Sequence, residues 1–83
     1  MKTGKEISDI KFKEIIEDQK KYIGTQLYKE RKRKGYSIDR VSKLSKVKWE
    51  TIYNIENGIT SYTIDTILKI CIRIGVNFIL ITR

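Results

Sequence analysis

The chain has 83 residues, 40 % apolar and 34 % charged, with no proline and no histidine. A chain of this length supports one domain and buries only about 60 to 65 % of its unfolded surface, which argues against a deep catalytic cleft. A lone cysteine and no histidine leave neither an internal disulfide nor a zinc ligand set, while a net charge of +8 favours a polyanionic partner. No catalytic residue, metal, cofactor or small-molecule substrate is therefore expected. The N-terminus carries no apolar run suited to a signal peptide or a membrane span, so a cytoplasmic protein with no membrane partner is expected.

In chain order, Ile10, Phe12, Ile15 and Ile16 mix helical spacing with a short alternation, and a helix is predicted over 8–19. Tyr22, Ile23, Leu27 and Tyr28 place apolar groups on one face of a second helix that stops at Gly35. Gly24, Gly35, Gly58 and Gly75 all read as punctuation between elements. From Lys29 to Lys48 there are nine bases against Glu30 and Asp39, a local charge of +7. Such a cluster attracts phosphates by releasing their condensed cations, although a solvated, solubilising face would have the same composition.

Ser37 is a suitable N-cap for a short helix carrying Val41 and Leu44. Val47 opens a turn, and Ile52 and Ile55 continue the helical pattern in a further short helix that ends at Asn57 and Gly58. Thr63 caps another, in which Ile64, Ile67, Leu68, Cys71 and Ile74 line one face up to Gly75. Cys71 reads as a small core residue. Residues 76–82 are apolar or β-branched at nearly every position and are predicted to form a strand apolar on both faces. Phe78, Ile79, Leu80 and Ile81 would then pair with their counterparts in a second copy, the alternative being a coil folded onto the core.

Residues 37–58 thus read as helix, tight turn, helix, and the sequence resembles the lambda-repressor and Cro-like, or xenobiotic-response-element, helix-turn-helix family of bacteria and phages. The likeness covers residues 23–78. It rests on the joint spacing of Ile23-Gly24, Leu27, Arg31, Gly35-Tyr36-Ser37, Val41-Ser42, Val47, Thr51-Ile52, Ile55-Glu56-Asn57-Gly58, the run Ile64-Asp65-Thr66-Ile67-Leu68-Lys69-Ile70, and Ile74-Gly75-Val76. The implied fold is an all-α, five-helix domain over 23–76, preceded by a helical extension over 1–22 and followed by a dimerisation strand over 77–83.

That resemblance also implies a partner, double-stranded DNA, with the second motif helix in the major groove. Lys48, Trp49, Glu50, Tyr53 and Asn54 would then face base edges: Lys48 toward guanine, Asn54 toward adenine, Glu50 toward cytosine, Trp49 and Tyr53 toward thymine methyls or sugar. Trp49 packed on a neighbouring helix is the structural alternative. Ser37 and Asn57 would hold phosphates, with Lys32, Lys34 and Lys43 supplying general attraction. In the family Arg31 and Glu56 form a salt bridge between helices, a structural role. Four positions depart from the family pattern. Lys46 stands where the turn usually holds glycine, Ile38 where a DNA-contacting glutamine is common, Glu30 at an apolar position, and Glu50 adds a negative charge to the reading helix. The implied function is a transcriptional regulator, a homodimeric repressor. The alternatives are an antitoxin that binds a toxin protein and controls its own operon, or a helix-turn-helix kept only for assembly.

Overall fold

The computed structural model describes residues 8–59 and 62–81, the side chain of Leu80 excepted. Among them are four α-helices, α1 Asp9–Arg33, α2 Ile38–Ser45, α3 Trp49–Glu56 and α4 Ile64–Ile74, and a closing 3-10 helix, Phe78–Ile81. The expected five helices and C-terminal strand are thus corrected to four α-helices with no strand among the described residues, while the all-α class fits and residues 9–22 of the expected extension are helical. None of the described helices is long and apolar enough to cross a membrane.

The extension and the helix that precedes the motif are one rod. Ser8 caps it, its hydroxyl accepting from the Lys11 amide at 3.1 Å, and Asp9 at the start with Arg31, Lys32 and Arg33 at the end suit the helix dipole. Nothing in the run Gln19-Lys20-Lys21-Tyr22 breaks a helix. Gly24, read as punctuation, lies inside the rod because α3 passes against it. A Cβ there would collide with the Ile55 carbonyl oxygen and come within 3.0 Å of that of Glu56.

The core gathers Leu27 from α1, Val41 from α2, Ile52 and Ile55 from α3, and Ile67, Ile70, Cys71 and Ile74 from α4. It is closed by Ile81, which is fully buried, with Phe78 packed against the cluster. This is why 78–81 is not a strand. The Asn77 side-chain oxygen accepts from the Ile79 amide at 2.9 Å, which turns the chain at the outset, and the turn carries Ile81 into the core of its own chain. Of the four residues expected at a dimer strand, Ile81 is buried, Phe78 half-buried and Ile79 exposed, while the Leu80 side chain lies outside the described residues, as does the rest of the expected strand at 82–83.

The turn between α2 and α3 seats Lys46 at φ 61°, ψ 27°, the left-handed region that its place in a glycine's position demands. Two serines hold it. The Ser42 hydroxyl donates to the Val47 carbonyl at 2.6 Å. The Ser45 hydroxyl donates to the Val41 carbonyl at 2.7 Å and accepts from the Val47 amide at 3.3 Å. These bonds offset part of the backbone cost of about 1 to 2 kcal/mol for a left-handed L-residue.

Candidate nucleic-acid interface

Helix α3 is short and two-faced. Ile52 and Ile55 are fully buried and fix it to the core, which turns Lys48, Trp49, Glu50 and Tyr53 outward, all exposed, with Asn54 half-buried beside them. Trp49 and Tyr53, one helical turn apart, stack face to face with ring centroids 5.3 Å apart and planes 9° from parallel. Each remains exposed, at 46 % and 44 %. Trp49 is therefore not packed away on a neighbouring helix but forms, with Tyr53, a rigid apolar blade. Lys48 is the N-cap residue, and its side chain makes no capping bond.

The orientation of α3 is set by Arg31. Its Nε and one terminal nitrogen donate to the two Glu56 carboxylate oxygens at 2.7 and 2.9 Å, and its other terminal nitrogen donates to the Tyr36 carbonyl at 2.8 Å. One guanidinium thus joins α1, α3 and the loop before α2. Both side chains are nearly buried, at 8 % and 4 % exposed. The hydrogen bonds to Glu56 raise the Arg31 pKa and outweigh desolvation, which lowers it, so the guanidinium is charged at any pH the fold survives. A buried pair in which each guanidinium nitrogen has a partner fixes geometry more than it adds stability, but removing one partner costs about 3 to 5 kcal/mol.

Two open hollows flank the blade. One, about 550 Å³, is lined by Arg31, Lys32, Gly35, Tyr36, Ser37, Ile38, Asp39 and Trp49. The other, about 360 Å³, is lined by Thr25, Tyr28, Arg31, Ile38, Tyr53, Glu56 and Asn57. Ile38 and Arg31 border both. A helix packed by its apolar side behind a short turn, its outer side bare, and keyed to α1 by a buried Arg–Glu pair is the arrangement of a DNA-reading unit. A model of the helix-turn-helix family matches residues 27–81, well over half of the chain. The chain belongs to the lambda-repressor-like helix-turn-helix family. That family consists of DNA-binding transcription regulators and is not enzymatic. No curated protein and no solved structure matches the chain significantly.

The other candidate contacts of the helix-turn-helix lie around α3 in different states. Ser37 is exposed, and its hydroxyl is used as the α2 N-cap, accepting from the Arg40 amide at 3.0 Å. Its contribution to an anion would therefore come through the helix's first amides. Asn57 is exposed and its amide nitrogen donates to the Tyr53 carbonyl at 2.8 Å, which aims its side chain. Lys43 pairs with Asp39 at 3.1 Å on the α2 surface, both exposed, an interaction worth well under about 1 kcal/mol that a phosphate can displace. Lys32 is exposed and borders the larger hollow. Lys34 lies apart, its amine 3.3 Å from the place a Cβ would take on Gly75, at the C-terminal end of α4. Glu30 binds Arg33 at 2.6 Å, so this departure from an apolar position is answered one turn on. Sequence reasoning missed Thr25, Tyr28 and Tyr36 as walls of the groove. Tyr28, with the Arg31 guanidinium 5.4 Å from its ring centroid, signalled itself only as a tyrosine beside the buried Leu27.

Proposed function

We propose that the protein is a sequence-specific DNA-binding transcription regulator that acts as a homodimeric repressor at a pseudo-palindromic operator. The observation that carries this reading is the bare face of α3. Lys48, Glu50 and Asn54 offer a donor, an acceptor and an amide, the groups that distinguish guanine, cytosine and adenine in the major groove. The Trp49–Tyr53 blade beside them suits thymine methyls or the sugar edge. Ser37, Asn57 and Lys32 border this face and, with Lys43 on the α2 surface, would position the duplex without reading it. Repression needs nothing beyond occupancy of the operator.

An apolar C-terminal strand would lend some support to the antitoxin alternative. With residues 78–81 coiled onto the core of their own chain, that footing is gone. Selection of bound duplexes from a random pool tests the proposal directly, and enrichment of a two-fold symmetric site is the expected result. Affinity for the selected site should fall with salt at a log–log slope of about −4 to −8 for a dimer. A slope near zero, or no retention of duplex at low salt, removes DNA as the partner.

A further inference from the structure

The N-terminal half of α1 extends past the helical core. The molecule is 46 Å long but only 22 and 19 Å across, and α1 packs on α3 and the closing 3-10 helix through its C-terminal half, where Gly24, Leu27 and Arg31 are buried. On this overhang Phe12, Ile15, Ile16, Gln19 and Ile23 share one face at 100° per residue. Phe12 is 55 % exposed, Ile15 37 % and Ile16 38 %. At the root of the stripe is an apolar hollow of about 310 Å³ lined by Ile15, Ile16, Gln19, Lys20, Ile23 and Tyr62. A helix of such length in water is marginal without packing.

We infer that this face is where two copies of the chain pair, their α1 overhangs antiparallel about a two-fold axis near residues 14 and 15, with Phe12 of each seated in the other's hollow. The surface complements itself in two independent ways. In an antiparallel pair of identical helices each flank of the stripe meets the same flank of the partner. One flank carries Lys11 and Asp18, so each copy sets Lys11 against the partner's Asp18 and Asp18 against the partner's Lys11. The other flank brings Asp9 opposite the partner's Lys20, which also pairs with Glu17 of its own helix at 3.7 Å. The same axis carries Phe12 opposite residues 15–19, the floor of the hollow. A parallel pair also brings Asp18 toward the partner's Lys20, but it sets Phe12 on Phe12, away from the hollow, and Lys11 beside the partner's Lys13 as well as its Asp9, so the seat of Phe12 decides the direction. The assignment supplies the contact for the dimer in the proposed function, and Ile81, buried in its own chain, is not needed for it.

The test is the oligomeric state of the full chain without DNA, measured by sedimentation velocity over a concentration series. The wild type should pair in the micromolar range, as interfaces below standard size do. Phe12→Ala should weaken pairing by about tenfold or more. Lys11→Asp and Asp18→Lys should each weaken it by setting like charges face to face, and the double swap should restore it together with any helix content lost on dissociation, followed by circular dichroism. Phe12→Cys mixed with Gln19→Cys should cross-link under mild oxidation, and Phe12→Cys alone should not. A wild type that is monomeric throughout, a dimer indifferent to Phe12→Ala, a double swap that fails to rescue, or self-linking of Phe12→Cys overturns the assignment. Retention of random duplex at low salt, followed in parallel, separates the two readings. A wild type that binds duplex but stays monomeric refutes this interface alone, whereas a wild type that pairs without binding duplex refutes the DNA reading alone.

Discussion

Alanine at Gly24 sets two physical effects against each other. On helix propensity alone, replacing a mid-helix glycine should stabilise α1 by about 1 kcal/mol. The packing says otherwise. The added Cβ meets the Ile55 and Glu56 carbonyl oxygens of α3, backbone atoms that cannot swing aside as a side chain would. Overpacking of this kind costs about 1 to 3 kcal/mol. Pushing α3 outward also stretches the Arg31–Glu56 bonds, now 2.7 and 2.9 Å, whose complete loss would cost about 3 to 5 kcal/mol. Partial loss added to the clash outweighs the propensity gain, and we expect a net destabilisation of about 2 kcal/mol, or roughly 10 °C in Tm for a domain of this size. Thermal unfolding by far-ultraviolet circular dichroism at neutral pH measures it. A Gly24→Ala protein that melts higher than wild type would refute the claim that α1 and α3 touch through their backbones there.

Further outcomes follow from the turn, the reading face and the core. Lys46→Gly relieves the left-handed backbone at the turn, against the greater entropy of an unfolded glycine, and should stabilise the protein by about 0.5 to 1 kcal/mol in urea unfolding. A loss of stability would show that the turn is not strained. Asn54→Ala or Lys48→Ala should lose about 1 to 3 kcal/mol on the selected site and far less on random duplex. Lys32→Ala should weaken both alike, and equal losses in all three variants would mean that α3 does not read. Burial pushes the Cys71 thiol from 9.0 up to about 11. A raised folded value means stability is intact below the unfolded value and falls between about pH 9 and 11, by about 1.4 kcal/mol per unit. Denaturant titrations of wild type and Cys71→Ala across that window should diverge, and parallel curves would place the thiol in water.

The parts legible in the sequence were those whose signals are local. Ser37 and Thr63 cap α2 and α4 as their hydroxyls suggest, accepting from Arg40 and Thr66 at 3.0 and 3.3 Å. Lys46 is left-handed because the motif's spacing leaves it no choice. Residues 8–33 were harder, since Gly24 can end a helix or admit a neighbour, and only the course of α3 decides between the two. The C-terminal segment misled for a related reason. Unbroken apolar character records that a segment is buried, not by what, and a 3-10 turn entering its own core satisfies it as well as a strand does. On the site, the exposed residues of α3 followed from the inward spacing of Ile52 and Ile55. The groove walls, Thr25, Tyr28 and Tyr36, come from α1 and the loop after it, so no linear pattern joins them to α3.

The three bonds of Arg31 also bear on how this sequence can drift. Glu56 and Arg31 look like a pair that could trade places, yet the exchange would leave a carboxylate facing the Tyr36 carbonyl, two acceptors with no proton between them. Lysine at position 31 has three donors but no planar fork, and cannot serve both carboxylate oxygens and the carbonyl in one plane. Substitution at position 56 is therefore constrained by a main-chain oxygen elsewhere in the chain, which no side-chain replacement can remove. Descendants of this chain can change every outward-facing residue of α3 one at a time, while the joint that aims the helix stays as it is.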